Sequence, residues 1–260
     1  MKLATWNVNS LKVRLPHLLA WLNTEPVDIV CLQETKTTDD SFPVQELRDA
    51  GYRSHFSGQK TYNGVALLLR EGRVGPAEQI VTALADFDDP QKRLIAATVD
   101  GLRIVCAYFP NGQAVGSEKY GYKLQWMAAL TDWLQAEMGV HERLALLGDF
   151  NIAPEDRDVH DPALWAGQIL CSDAERAAFQ GLLALGLVDA FRRFDQPERS
   201  FTWWDYRDLA FRRKMGLRID HILVSPALAA LCTHCNIEVE LRRLERPSDH
   251  APVVATFEGT

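Results

Sequence analysis

Short, nearly continuous apolar runs recur along this chain, and amphipathic stretches with helical spacing lie between some of them. Such runs read as strands buried on both faces, and the amphipathic stretches as helices that cover a sheet. Lys2–Trp6 is the first strand. Ser10 is placed to cap a helix with apolar positions Leu11, Leu15, Leu18, Leu19 and Leu22, and Pro26 lies beyond its end. Val27–Leu32 is a second strand. A short helix over Val44–Ala50 stops at Gly51, and Tyr52–Phe56 and Gly64–Leu69 follow as strands. Leu94–Val99 and Leu102–Tyr108 flank Asp100-Gly101, a strong hairpin signal.

A long helix then presents Tyr120, Leu124, Met127, Leu130, Leu134 and Met138 on one face, with Gly139 placed to end it. Leu144–Asn151 opens as a core strand. Asp156–Gln168 is polar and irregular. Ser172-Asp173-Ala174-Glu175 is a capping box for a helix that closes at Gly186. Phe201–Tyr206, Leu217–Val224, Ile237–Leu241 and Val253–Phe257 complete the strands. Hairpins mixed with helical crossovers exclude a purely parallel sheet, and so many strands call for two packed sheets. With no linker or low-complexity segment in view, the expectation is one α/β domain over residues 1–260.

Several strands end in polar residues. Asp149 and Asn151 stand two apart after Gly148, so in extended chain both side chains point the same way. Asn7, Glu34 and Tyr108 close three other strands, Asp220 lies inside another, and Asp249-His250 precedes the last. Each alone reads equally well as turn chemistry or a solvated acid. Together they point to a shared rim, because strand ends on one sheet edge converge. Carboxylates and amides are hard oxygen ligands that suit Mg²⁺ or Mn²⁺. With His and Tyr beside them they suit phosphoryl chemistry, where neutral donors and cations stabilise oxygen charge while a base orients water. A carboxylate behind an imidazole fixes its tautomer and raises its pKa, which suits Asp220 behind His250.

Composition narrows the picture. The net charge of −7 argues against a general polyanion binder and puts weight on local basic patches. Five cysteines, an odd number, fit reduced thiols, and Cys31 and Cys106 lie in core runs. No apolar run approaches a membrane span, and the first residues lack signal-peptide architecture, so a cytoplasmic protein is expected, with monomer as the default.

The stretches Thr5-Trp6-Asn7-Val8-Asn9, Leu32-Gln33-Glu34, Tyr62-Asn63-Gly64-Val65-Ala66 and Tyr108-Phe109-Pro110-Asn111-Gly112 carry a family resemblance. So do Gly148-Asp149-Phe150-Asn151, Phe201-Thr202-Trp203-Trp204-Asp205-Tyr206-Arg207, Gly216-Leu217-Arg218-Ile219-Asp220 and Pro247-Ser248-Asp249-His250-Ala251-Pro252. The chain resembles the exonuclease III family of DNA-repair nucleases, within the wider endonuclease/exonuclease/phosphatase superfamily. The resemblance runs from end to end, and the Trp-Trp-Asp-Tyr-Arg and Gly-Leu-Arg-Ile-Asp stretches narrow it to the DNA-repair branch.

That resemblance implies a four-layer αββα sandwich of two mixed sheets flanked by helices. It implies cleavage 5′ to abasic sites and 3′→5′ trimming or cleaning of duplex DNA ends, leaving 3′-OH, with Mg²⁺ as cofactor and Mn²⁺ able to substitute. Glu34 would bind the metal with Asn7 beside it, and Asp249 would complete that environment or a second site. Asp149 would orient or deprotonate water and also face the metal. Asn151 would hold phosphate at the same place, Tyr108 would contact the scissile phosphate, and His250, oriented by Asp220, would hydrogen-bond it. Trp203, Trp204 and Leu217 match the family's apolar pocket for an abasic sugar. Adjacent strand residues face opposite ways, so Trp203 is the expected pocket wall. The loop around Trp165–Cys171, with Leu170, varies in the family and is expected to tune abasic cleavage against 3′-end trimming.

Local basic and aromatic clusters supply the DNA contacts expected of such a protein. Phe211-Arg212-Arg213-Lys214-Met215 reads as a groove-inserting loop or as a solvated one. Lys60 and Tyr62, beside Gln59, are a second candidate contact, and Asn111 a third. Lys119, Tyr120 and Lys123 are a weaker one, since Tyr120 also fits its helix's core face. Cys232-Thr233-His234-Cys235 has zinc-like spacing but no second ligand pair. His17, His55, His141, His160 and His221 are expected at the surface or at edges, and Asp156–Asp161 as a solvated loop.

Overall fold

Strands form where the apolar runs lie, and the alternation of side chains within them decides which layer each residue joins. The protein is seen in a computed structural model that describes residues 1–259. Its strands are β1 (Lys2–Asn7), β2 (Ile29–Gln33), β3 (Tyr52–Ser57), β4 (Val65–Arg70), β5 (Glu78–Val81) and β6 (Leu94–Val99). They continue as β7 (Leu102–Tyr108), β8 (Leu144–Asp149), β9 (Val188–Asp189), β10 (Asp220–Val224), β11 (Cys232–Ile237) and β12 (Val253–Phe257). The α-helices are α1 (Leu11–Thr24), α2 (Val44–Asp49), α3 (Glu118–Val140), α4 (Pro162–Trp165), α5 (Asp173–Ala184) and α6 (Pro226–Ala229).

Two six-stranded sheets result, one in the order β11-β12-β1-β2-β4-β3 and one in the order β5-β6-β7-β8-β10-β9. Both are mixed: β1 with β2 and β7 with β8 run parallel, and the other pairs antiparallel. Leu3, Ile29, Cys31 and Leu67 of the first sheet meet Ile104, Cys106, Leu147 and Ile222 of the second in a shared core. Their sequence neighbours point outward. Ala4, Trp6, Val30 and Leu32 pack under Leu18, Trp21 and Leu22 of α1. Val105, Leu144 and Leu146 pack under Trp126, Met127 and Leu130 of α3 and Phe179 of α5. The four-layer arrangement therefore follows from period-2 alternation in strands apolar on both faces. Truncating a residue such as Leu147 to Ala would cost about 2–5 kcal/mol.

Gly148 lets the sheet close beside the rim. A Cβ there would lie 1.8 Å from the Ala107 carbonyl oxygen, so a side chain would force β7 and β8 apart. Among the described residues no helix is long and apolar enough to cross a membrane.

Several expectations are corrected. Ser10 makes no side-chain cap; its backbone N–H instead donates to the Glu34 carbonyl at 2.8 Å, pinning the loop after β1 to the loop after β2. Gly139 does not end α3, which continues to Val140 and closes at His141. Phe201–Tyr206 is not a strand; only Trp203 bridges, to Leu217 and His250. The late edge strand is Cys232–Ile237, and Val239–Arg243 is a 3₁₀ turn. The edge strands β5 and β9 were not legible, being short and without an apolar run. Asp158 is fully buried rather than solvated, because the buried Arg218 donates to it at 2.6 Å and Arg192 pairs with it. Its carboxyl is held below the usual range because the two arginines outweigh the effect of burial. His221 is buried as well.

Candidate active site

Strand register assembles the site. Tyr108 pairs with Asp149 across β7 and β8, and Asp220 pairs with Asp149 across β10 and β8, so three polar residues share one rank of the second sheet. In the first sheet Asn7 pairs with Gln33, which places Glu34 one step beyond. Asp249 and His250 enter just before β12, whose Val253 lies beside Thr5. The two ranks meet where the sheets open.

Asn7 joins them. Its Nδ2 donates to Glu34 Oε1 at 2.8 Å and to Asp149 Oδ2 at 2.9 Å. Its Oδ1 accepts the Asn9 backbone N–H at 2.9 Å. This amide orientation, set by the hydrogen-bond network, makes Asn7 a bridge between two carboxylates. On the other side His250 Nδ1 lies 2.8 Å from Asp220 Oδ2, and its Nε2 lies 3.7 Å from Asp149 Oδ2. Burial alone would lower this imidazole, but the Asp220 and Asp149 charges outweigh it and raise it to about 10. It is therefore a cation, donating to Asp220 through Nδ1–H. Asp149 is buried among other acids. Burial first, then Asp220 and Glu34, push it up to about 7 against the lowering effect of His250 and Asn7. Tyr108 is raised by burial and by Glu34 and Asp149, so its hydroxyl keeps its proton.

Asn151 sits in the left-handed region at φ 52°, as do Asn9 at 42° and Glu34 at 49°. Surrounding hydrogen bonds hold these three rim residues in that conformation. The Asn151 N–H donates to Asp149 Oδ1 at 2.9 Å, and its Nδ2 donates to the Phe109 carbonyl at 3.0 Å. Its Oδ1 accepts from Asn111 Nδ2 at 3.1 Å. Between them, Phe150 points into the core and stacks on Phe109 with ring centroids 4.2 Å apart.

The donor set suits a hard dication. Glu34, Asp149 and His250 offer atoms within 4.8 Å of one another. Glu34 and Asp149 are the hard oxygen donors of this set, and His250 Nδ1 is already engaged by Asp220. Lys36 lies 2.8 Å from Glu34 Oε2. Asp249 lies outside this cluster, and Asn9 Nδ2 and Trp203 Nε1 donate to its two oxygens at 2.8 and 3.0 Å, which leaves a lone pair on each.

The remaining predicted residues divide. Trp203 reaches the rim through that bond to Asp249. Trp204 faces the other way, buried against Phe211 with ring centroids 5.1 Å apart. Leu217 is fully buried beneath Trp203, beside Val159, Leu170 and Cys171. Lys60 and Tyr62 are exposed on the loop before β4, and Arg212 and Arg213 on the loop after Trp204.

Sequence reasoning missed the supports. Lys123 Nζ is fully buried, pairs with Glu175, and donates to the Asn151 and Asn111 carbonyls at 2.8 and 3.3 Å. A lysine inside the core stripe of α3 was the available signal. His221 Nε2–H donates to the Ile152 carbonyl at 2.9 Å, and its Nδ1 accepts from Arg218 at 3.0 Å. Both partners fix the neutral tautomer, and burial, then Arg218, lower the ring to about 4. Thr202 Oγ1 accepts the Asp220 N–H at 3.1 Å, and Ser248 Oγ donates to the Asn7 carbonyl at 2.7 Å.

Known proteins share this fold. The pattern of the Endonuclease/Exonuclease/phosphatase family matches residues 4–250. Exodeoxyribonuclease III of Haemophilus influenzae is 36% identical, over 99% of this chain and 100% of its own. Among solved structures, the 3′ phosphatase NExo from Neisseria, bound to product DNA hairpin, is 50% identical with a TM-score of 0.96, covering 99% of both chains. An AP endonuclease from Archaeoglobus fulgidus is 38% identical with a TM-score of 0.94, again over 99% of both. A match spanning both ranks of the rim leaves one assignment: the chain belongs to the endonuclease/exonuclease/phosphatase family.

Proposed function

We propose that this chain is a Mg²⁺-dependent DNA-repair phosphodiesterase. It cleaves 5′ to abasic sites and trims or cleans 3′ ends of duplex DNA, leaving 3′-OH. The observation that carries the reading is the buried Asp149, held between the Glu34–Asn7 pair and the protonated His250. This one place offers a carboxylate base for water, a fixed cation for phosphate oxygen and oxygen ligands for a metal. The relatives named above act on such substrates, which supports the choice of DNA.

Glu34 and Asp149 would hold Mg²⁺, which when bound supplies Lewis-acid charge and keeps Asp149 ionised. Asp149 orients the attacking water and takes its proton. His250 donates through Nε2–H to a non-bridging phosphate oxygen, and Asp220 keeps that ring charged and in place. The Asn151 amide and the Tyr108 hydroxyl position the phosphate from the other side. In this reading Asp249 holds Trp203 and Asn9, and Asn7 spaces the two carboxylates. A single cytoplasmic domain acting as a monomer completes the proposal.

A second observation bears on the balance of activities. Beneath Trp203 the apolar cluster is closed, with Leu217, Leu170 and Val159 all buried. Those side chains pack together where the resemblance places an inserted sugar, and in this reading that packing favours 3′-end processing over abasic cleavage. The test compares three duplexes, with a central abasic analogue, a recessed 3′ end and a blocked 3′ end, each with Mg²⁺ and with chelator. Metal-dependent cutting, faster on the two 3′-end substrates, is expected. Cutting that persists in chelator, or no cutting of any duplex, would overturn the proposal.

A further inference from the structure

A cavity of about 570 Å³ opens beside Tyr108 and Asn111, between the Lys60–Asn63 loop and the start of α3. Among its lining residues is no aspartate or glutamate, although the whole chain carries −7. Its polar wall is made largely of donors. Gln59 and Gln91 use their amide oxygens inside the protein, accepting from Lys92 N–H at 2.7 Å and from Arg93 at 2.8 Å. Among the described residues, their amide nitrogens donate to no protein group. Lys119 stands on the rim, exposed and without a carboxylate partner.

Arg93 is the decisive residue. It is 9% exposed, yet among the described residues no carboxylate lies within 4.0 Å of its guanidinium. Its acceptors are neutral, the Gln91 amide and the Tyr108 carbonyl, the latter at 3.3 Å, the Tyr122 ring lies 5.9 Å away, and its buried Nε has no partner. The nearby Asp89 carboxylate is already occupied by the Tyr122 hydroxyl at 2.6 Å and the Gln91 N–H at 3.0 Å. Its guanidinium lies 4.9 Å from the Tyr108 ring centroid. A cation taken out of water without a counter-charge is costly, and arginine is the residue that fits phosphate in such a position.

We infer that this cleft is a phosphate subsite, binding the backbone phosphate of the nucleotide next to the scissile bond, with Arg93 as its built cation and Lys119 at its mouth. The inference rests on the reading of duplex DNA as substrate. A phosphate there neutralises Arg93 and accepts from the free Gln59 and Gln91 amides, while the strand's reacting phosphate lies against Tyr108 and Asn151.

The test uses the full chain with Arg93→Met and, separately, Lys119→Ala, the latter an exposed position with no core contact to lose. Duplex binding is measured in chelator across a salt series. Turnover with Mg²⁺ is measured on the duplex and on bis(4-nitrophenyl) phosphate, which has no flanking nucleotide. Arg93→Met should weaken duplex binding about tenfold and flatten the salt slope by about one charge. Lys119→Ala should weaken it about threefold. The Arg93→Met loss of kcat/KM should be at least about tenfold larger on the duplex than on the small diester. Equal loss on both substrates would mean that Arg93 acts only through Tyr108, and would overturn the inference. So would unchanged duplex affinity in Lys119→Ala together with an unchanged salt slope in Arg93→Met. A wild-type protein that binds no duplex would remove the DNA reading itself, an outcome separate from these.

Discussion

The two ends of the binding face are built in opposite ways. At the junction of the sheets, Asn7, Asp149, Asp220 and His250 are all at least nine-tenths buried, and nearly every polar atom has a partner. On the loop after Trp204, Arg212 and Arg213 are exposed, and neither meets a carboxylate among the described residues. The first region is fixed by strand register, which cannot slip without turning a core face to solvent. The second is held by Phe211 on Trp204 and by bonds such as that from Arg199 to the Lys214 carbonyl, while Arg212 and Arg213 stay exposed. Groups that must meet a reacting atom sit where the fold is rigid, and groups that meet a long charged ligand sit where side chains can adjust. Changes at the junction should therefore alter turnover, and changes on the loop should alter affinity.

The largest expected departure is at His250. Replacing it by Asn should lower kcat by about 10²–10³ while DNA affinity changes little. Asp220→Asn should cost a similar factor, and the double variant little more, because the pair acts as one unit. Full additivity in single-turnover kinetics would show that they act separately.

A support at the same junction gives a pH signature. His221 is held to about 4 in the folded protein against 6.5 unfolded, so the unfolded chain binds the extra proton. Its contribution to stability is complete above pH 6.5 and is lost as pH falls toward 4, on the order of 3 kcal/mol. Over the same range Asp149, raised to about 7, works in the opposite direction, so the loss should appear as the difference between wild type and His221→Gln in urea unfolding of chelated protein. Parallel profiles for the two proteins would assign the dependence to other groups.

Leu170 lies between the two regions, buried under Trp203 at φ 72°, a backbone region that favours glycine. Leu170→Gly should relieve that strain, open the cluster and raise the ratio of abasic to 3′-end cleavage by about 30-fold. An unchanged ratio would mean that the cluster does not gate the sugar.

On the loop, Arg212→Ala with Arg213→Ala should weaken duplex binding about tenfold and flatten its salt slope by about two charges, with kcat preserved. A preserved slope would leave the loop out of the interface.

The same contrast governs what could be read beforehand. Strand ends were legible because alternation fixes their direction as far as Asp149; Asn151, in the left-handed region past the strand's end, reaches the same rim and donates its N–H to Asp149. Their meeting with Asn7 and His250 depended on the order of strands in two sheets, which periodicity does not encode. Lys123 was placed in a weak surface contact, yet its buried ammonium holds the Asn151 and Asn111 carbonyls. A lysine inside the core stripe of α3 was the one local sign, and its counter-ion, Glu175, is on another helix. That Asp249, expected beside the metal, also accepts from Asn9 and Trp203 follows from loop geometry alone.

The central claim is that Asp149 handles the attacking water while the rest of the face holds DNA. Single-turnover cleavage of a 3′-blocked duplex by Asp149→Asn, set beside its equilibrium binding of the same duplex, tests it most directly. The account predicts a fall in rate of about 10³–10⁴, with affinity kept within about threefold. A variant that cleaves at the wild-type rate once saturated, and has lost only affinity, would contradict it.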